Sequence, residues 1–76
     1  MDEGLTRQGA TAVNQAKEIF DYIKEHPGAS IQEIVKETGW SRYVVEVATQ
    51  ALAQNGLISE IGRTEWGDPK YEYKVV

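Results

Sequence analysis

Two predicted helices in the middle of the chain are separated by a single residue, and this spacing constrains the fold more than any other feature of the sequence. Ser30 to Glu33 reads as a capping box, in which the serine oxygen accepts the Glu33 amide and the glutamate side chain reaches back to the serine amide. The helix that starts there ends at Gly39, and only Trp40 then precedes Ser41, the N-cap of the next helix. The pattern predicts a helix-turn-helix unit with Trp40 in the core.

The helix predicted over residues 41–55 has two different faces. At about 100° per residue, one face is apolar and is predicted to be buried. It consists of Val44, Val47, Ala48, Ala51, Leu52 and Asn55, with Val45 at its margin. The opposite face carries Arg42, Glu46, Thr49, Gln50 and Ala53, with Tyr43 at its edge. Because this second face holds short polar groups rather than a ladder of solvating charges, we expect it to contact a partner.

One helix precedes this unit and a β-hairpin follows it. Residues 11–25 keep a helical apolar rhythm behind a Thr11 cap, and Pro27 ends that helix. Its predicted apolar positions are Val13, Ala16, Ile19, Phe20 and Ile23. After Gly56 the period falls to two, which predicts strands over residues 57–63 and 70–76, with a loop over 64–69. In the second strand Tyr71, Tyr73 and Val75 share one face, and residues 29–31 can add a third strand at the edge of the hairpin.

The length and the charge of the chain bound its organisation. A sequence of 76 residues predicts one domain, here over residues 11–76, preceded by a flexible N-terminal arm over 1–10 that has two glycines. The formal net charge is -4, and no basic block stands out, so the usual electrostatic footprint of a nucleic-acid binder is missing. The chain has no cysteine and no run approaching the roughly 18 apolar residues of a membrane span. We therefore expect a cytoplasmic protein that does not contact a membrane.

The residue types needed for catalysis or for metal binding are not grouped in this sequence. His26 is the only histidine, and no carboxylates have the spacing of metal ligands. The glycine-bearing stretch 62–67 lacks the lysine and the following helix of a phosphate-binding loop. We expect neither a catalytic residue nor a cofactor, so an enzyme is not predicted.

The order of these elements resembles the winged helix-turn-helix domain of bacterial and archaeal transcription regulators of the arsenic-repressor and multiple-antibiotic-resistance types. The resemblance covers residues 11–76 and is carried by the stretches 31–35, 38–41 and 52–58. It implies an α+β fold of three helices followed by a wing of two antiparallel strands, with a third strand allowed. It also implies a small regulator that acts as a homodimer on double-stranded DNA.

The resemblance further implies which residues would contact DNA. Helix 41–55 would lie in the major groove, where Arg42 would contact a guanine or a phosphate. The wing, residues 57–76, would follow the neighbouring backbone. The implied contacts are Ser41, Arg42, Tyr43, Glu46, Thr49 and Gln50 on the helix, and Arg63, Trp66, Lys70 and Lys74 on the wing. Glu46 fits least well, because a carboxylate in the reading face is repelled by phosphate unless it accepts from a cytosine.

A second function class is compatible with the same residues. Winged helices also serve as protein-docking modules, and the acidic balance of this chain favours that alternative. Arg42 can contact DNA or pair with Glu46 one helical turn later. Trp66 can be part of the core, a surface for self-association or for another partner, or a contact to nucleic acid.

Overall fold

Three helices and a three-stranded antiparallel sheet make up the regular structure of residues 12–74, the part of the chain that the computed structural model describes. In chain order they are α1 (Ala12–Glu25), β1 (Ala29–Ser30), α2 (Ile31–Thr38), α3 (Arg42–Gln54), β2 (Ile58–Arg63) and β3 (Pro69–Tyr73). The predicted α+β class and element order are confirmed over this range. The predicted arm, the Thr11 cap and Val75 lie outside the described residues.

The caps of α2 and α3 fix where the two helices begin. The Ser30 hydroxyl accepts the Glu33 amide at 3.1 Å, and the Ser41 hydroxyl accepts the Val44 amide at 3.2 Å. Gly39 ends α2 in the left-handed conformation at φ 79°, which a residue without a Cβ adopts at little cost. Only half of the predicted capping box is observed, because the Glu33 carboxylate accepts the Tyr22 hydroxyl at 2.5 Å.

The sheet has the order β1-β3-β2, so the last strand of the chain lies in the middle. Ala29 pairs with Tyr71 on one side of β3, and Ser59 pairs with Glu72 on the other. The register between β2 and β3 shifts between Glu60 and Gly62, which marks a β-bulge. The third strand that the sequence allowed is therefore present, and it pairs with the returning strand of the hairpin.

The core lies between the three helices and one face of the sheet. Ile19 and Ile23 from α1, Ile34 from α2 and Val45 from α3 have no exposed surface. The other buried hydrophobic residues are Ala29, Ile31, Trp40, Ala48, Leu52, Ile58 and Tyr71. The predicted burial of Trp40 between the two helices is confirmed. Tyr73 lies at the margin of the core, where its ring meets the ring of Phe20 edge-on at 5.5 Å.

The predicted orientation of α3 about its own axis is wrong. Thr49, expected on the outer face, is 1% exposed, while Val47, expected in the core, is 48% exposed. Ala51 and Asn55, also expected inside, are exposed, and Val45 lies at the centre of the buried face. The observed buried face is rotated by about 80°, a little less than one residue at 100° per residue.

Two features of α3 explain why the sequence pattern did not predict which face is buried. The Thr49 hydroxyl donates to the backbone oxygens of Val45 at 2.8 Å and Glu46 at 3.1 Å, so this side chain can be buried without an unsatisfied polar group. Valine, alanine and leucine also occupy more than half of the circumference of α3, so the pattern alone does not select one apolar face. Val13, the first predicted core position of α1, is likewise exposed, at 75%.

Trimming one methyl group from the core should reduce stability measurably. We expect Ile34→Val to lower the free energy of unfolding by about 0.5 to 1.5 kcal/mol, because it removes a fully buried methyl group. Val13→Ala, at an exposed position, should change it by less than about 0.5 kcal/mol. Urea denaturation followed by circular dichroism measures both, and equal effects would contradict this description of the core.

Candidate functional site

An ion pair joins the first turn of α3 to the end of the hairpin turn. The Arg42 guanidinium donates to both carboxylate oxygens of Asp68, from Nη2 to Oδ1 at 2.6 Å and from Nη1 to Oδ2 at 3.4 Å. Its Nε donates to the Glu46 carboxylate at 2.8 Å, one turn further along the helix. The predicted pair with Glu46 is therefore present, and a second carboxylate, 26 residues away in sequence, shares the same cation.

Asp68 is the more enclosed member of this network. The residue is 9% exposed, and its backbone amide donates to the Thr64 hydroxyl at 3.1 Å. Hydrogen bonds from Arg42 lower the pKa of the Asp68 carboxyl from its ordinary value. These hydrogen bonds outweigh burial, which by itself would raise the pKa. The charge of Arg42 and the Gln32 backbone also lower the pKa of Asp68. Asp68 thus connects the hairpin to the beginning of α3.

The same contacts decide what Arg42 can offer to a ligand. Hydrogen bonds to Asp68 and then to Glu46 raise the pKa of the guanidinium above its ordinary value. A guanidinium has five N–H donors in a planar fork, and bidentate recognition requires two parallel donors on one edge. Asp68 occupies the edge formed by Nη1 and Nη2, and Glu46 occupies Nε. No edge of Arg42 is left with both donors unengaged, so the bidentate guanine contact implied by the resemblance would require Arg42 to leave a carboxylate.

The outer face of α3 is uncharged at its centre. Tyr43 is 75% exposed, and Val47 and Gln50 follow it at intervals of four and three residues, so the three side chains form one stripe. Ser41 is used as the N-cap of the helix. Thr49 is buried and cannot reach a ligand, which corrects its predicted place among the contact residues. Sequence reasoning placed Arg42 and Glu46 at the centre of this face, whereas they lie at its side, towards the hairpin.

The three hairpin cations lie in different local environments. Arg63 donates to the Gly67 backbone oxygen at 2.9 Å and lies 3.5 Å from the Glu60 carboxylate. Lys70 is partly buried in β3, opposite Ser30 of β1 and Gly62 of β2. Lys74 is exposed just after β3, and its backbone amide donates to the Leu57 oxygen at 3.0 Å. Of these three residues, only Arg63 lies within 4 Å of a carboxylate in the part of the chain that the structure describes.

Trp66 lies at the tip of the hairpin and is the most exposed large hydrophobic residue within residues 12–74, at 79%. The possibility that it belongs to the core is therefore wrong. Its backbone amide donates to the Thr64 hydroxyl at 3.2 Å, so the turn that carries it is hydrogen-bonded internally. The other two interpretations, a contact to a partner or to nucleic acid, both require an exposed side chain, as is observed.

A groove of about 330 Å³ lies between α1 and α2. It is lined by Glu18, Asp21, Tyr22, Glu25, Glu37 and Thr38. Burial, followed by the hydrogen bond to Glu33, raises the pKa of the Tyr22 hydroxyl above its ordinary value, so this side chain keeps its proton. In the stretch 12–74, no group of three or more histidine, aspartate or glutamate side chains is placed to hold a metal ion.

Comparisons of this chain with protein-family models, with curated proteins and with solved structures found no match. Of the helices within the described range, none is long and apolar enough to cross a membrane.

Sequence reasoning missed Asp68 as a residue of the site. It lies in a glycine- and proline-bearing loop, between Gly67 and Pro69, where an aspartate is ordinarily read as a turn former. No spacing rule connects it to Arg42, because the two residues belong to different elements. The charge of Arg42 gave no signal either, because Glu46 one helical turn later already offered it a carboxylate partner.

We expect Asp68→Asn to remove part of the pH dependence of stability. Because the folded-state pKa of Asp68 is lowered, its contribution is fully present above its unfolded-state value, about 3.9, and is lost as the pH falls through the folded-state pKa. The variant should be less stable than the wild type at pH 7, and the difference should shrink as the pH is lowered below about 4. Urea denaturation at a series of pH values measures this.

The control for this experiment is a double-mutant cycle with Arg42→Gln. If the ion pair is the source of this pH-dependent stability, Asp68→Asn should lower the free energy of unfolding much less in the Arg42→Gln background than in the wild type. An unchanged effect would show that Asp68 contributes to stability through other partners.

Proposed function

We propose that this chain is a winged-helix module that docks a protein partner through the outer face of α3. The winged-helix assignment is supported by the tight connection between α2 and α3, by the hairpin that follows, and by β1, which pairs with the hairpin in the order β1-β3-β2. We call the stripe of Tyr43, Val47 and Gln50 the α3 face.

One observation carries this proposal: the only cation of α3 is held by two carboxylates of the same chain. Arg42 is bonded to Asp68 and Glu46, so the site of one positive charge also holds two negative charges. A DNA phosphate approaching this position would be repelled rather than attracted. Duplex binding depends on cations that replace the counterions of phosphate, and the α3 face itself supplies none.

The character of the α3 face supports the same conclusion. Tyr43 and Val47 expose apolar surface, and Gln50 adds a neutral donor and acceptor. Exposed aromatic residues beside neutral polar groups, with few charged residues at the centre, are typical of protein interfaces. The hairpin adds four acidic residues against three basic ones, and the whole chain carries a net charge of -4. The balance of charge thus favours a protein partner over a polyanion.

The second candidate function is the DNA-binding regulator implied by the resemblance. It is favoured by the exposure of Tyr43 and Gln50 on a capped helix beside a hairpin that carries Arg63, Lys70 and Lys74. With Arg42 engaged, these three cations would give a log-log salt slope of about -2 to -3 per protomer. A homodimer would double this slope, so dimer formation belongs to this candidate. The cytoplasmic location and the absence of enzymatic activity remain predictions under both candidate functions.

A titration with duplex DNA distinguishes the two candidates. We expect random-sequence duplex DNA at low salt to leave the amide resonances of Tyr43, Gln50 and Lys74 of the wild type unshifted. The double variant Glu46→Gln with Asp68→Asn should gain DNA binding, because it frees Arg42 and removes two negative charges. Heteronuclear NMR measures both, and thermal unfolding checks that the variant is folded.

The matched control is Glu25→Gln with Glu37→Gln, which makes the same change of net charge at the groove between α1 and α2. It should not create DNA binding, because it frees no cation beside α3. Shifts of Tyr43 and Gln50 in the wild type at low salt would instead establish the DNA-binding candidate.

Direct evidence for protein docking comes from peptide selection. Random peptides displayed on phage and selected on the wild-type chain should bind at least 10-fold more weakly to Tyr43→Ala, because tyrosine is a frequent energetic centre of interfaces. Val13→Ala, equally exposed but on α1, should leave binding unchanged. Selected peptides that bind Tyr43→Ala as well as the wild type would refute docking at the α3 face.

A further inference from the structure

We propose that Trp66 is the anchor residue of this interface and that it inserts into an apolar pocket of the protein partner beside a lysine or arginine side chain. This inference rests on the proposed docking function and adds to it the chemistry of the partner. Four properties of the hairpin tip carry it: a rigid turn, a large exposed side chain, an adjacent carboxylate and a physical connection to α3.

The turn that carries Trp66 is held by a dense set of hydrogen bonds. The Thr64 hydroxyl accepts the amides of Trp66 at 3.2 Å and of Asp68 at 3.1 Å. The Thr64 backbone amide donates to the Asp68 oxygen at 2.8 Å, and the Gly67 amide donates to the Thr64 oxygen at 2.9 Å. Arg63 closes the turn by donating to the Gly67 oxygen at 2.9 Å. None of these bonds uses the indole, so the turn positions the side chain without enclosing it.

A rigid, exposed indole suits an anchor. Tryptophan offers roughly 150–250 Å² of surface for burial, more than almost any other side chain. Anchors of this type dominate the free energy of many interfaces. Because the turn is already ordered, binding loses little backbone entropy at this position. Turns at the surface usually carry small polar residues, whereas here a tryptophan is 79% exposed.

The charges around Trp66 indicate what borders the partner's pocket. Asp68 is neutralised by Arg42, and Arg63 lies beside Glu60. Glu65 is exposed next to Trp66, and no ion pair involves it within residues 12–74. An uncompensated carboxylate at the tip favours a partner that presents a cation beside its apolar pocket. It also disfavours nucleic acid, whose phosphates would approach the same carboxylate.

The tip and the α3 face are physically connected. Asp68 follows Trp66 by two residues and is bonded to Arg42, which immediately precedes Tyr43 on α3. The ion pair therefore holds the hairpin tip against the first turn of the helix. Tyr43 and Trp66 thus each lie within two residues of a member of this ion pair, and we infer from this link that one partner contacts both.

The peptides selected on the wild-type chain provide the test. We expect them to share an apolar or aromatic centre flanked by lysine or arginine, to bind Trp66→Ala at least 10-fold more weakly, and to bind Trp66→Phe with an intermediate affinity. Glu65→Gln should weaken binding several-fold, because the partner's cation loses its carboxylate. Val13→Ala is the matched control for loss of an exposed apolar side chain. Amide spectra of each variant check that the hairpin is intact.

A direct readout comes from 5-fluorotryptophan. The labelled chain should give one fluorine resonance from Trp66 and one from the buried Trp40, which Trp66→Phe assigns. Addition of a selected peptide should shift the Trp66 resonance. If a single-stranded oligonucleotide at low salt shifts this resonance instead, the proposal of a protein partner for Trp66 is wrong. If sedimentation shows self-association that Trp66→Ala abolishes, the partner of Trp66 is a second copy of the chain and the proposal of a different protein is wrong.

The remaining outcomes separate the two proposals. If Trp66→Ala retains affinity within twofold while Tyr43→Ala loses it, the anchor is wrong and docking through the α3 face stands. If neither substitution weakens binding, both proposals are wrong. If no selected peptide binds the wild-type chain, both are likewise overturned.

Discussion

The ion pair between Arg42 and Asp68 is the contact that links the first turn of α3 to the hairpin turn. It joins two residues that are 26 positions apart in sequence, Arg42 at the start of α3 and Asp68 at the end of the hairpin turn. Because the Asp68 side chain is largely enclosed, its charge is compensated mainly by the Arg42 guanidinium.

The same contact changes the chemistry of the surface. In isolation, α3 would present one arginine and one glutamate on an otherwise neutral helix. Once Asp68 joins them, the cation is shared between two carboxylates, and the exposed centre of the helix is Tyr43, Val47 and Gln50. The hairpin therefore changes the charge that the first turn of α3 presents. Our proposal that the α3 face docks a protein rests on this sharing of the cation.

Local signals predicted most of the fold correctly. The caps at Ser30 and Ser41, the left-handed glycine at Gly39 and the change of period after Gly56 are interactions within a few residues, and each lies where the sequence predicted it. The exposed site was predicted less well. Thr49 is buried because its hydroxyl bonds to its own helix, and Val47 is exposed because apolar residues surround most of α3 and leave its rotation to packing. Periodicity reports that a helix is amphipathic, but it locates the buried face poorly when the apolar arc is wide.

The sequence by itself determined the elements of this protein, their order and most of their boundaries, because capping, glycine conformation and hydrophobic period act between residues that are close in the chain. The exception is the last strand, which was predicted over residues 70–76 and is observed over Pro69–Tyr73. Only the tertiary structure decided which face of α3 is buried, that β1 joins the sheet through β3, and that Arg42 is held by Asp68. These features depend on contacts between distant residues, whose free energies come from burial and from charge pairing rather than from local propensity. The charge of the surface beside the α3 face also depends on the tertiary structure, because it is set by the carboxylates that pair with Arg42.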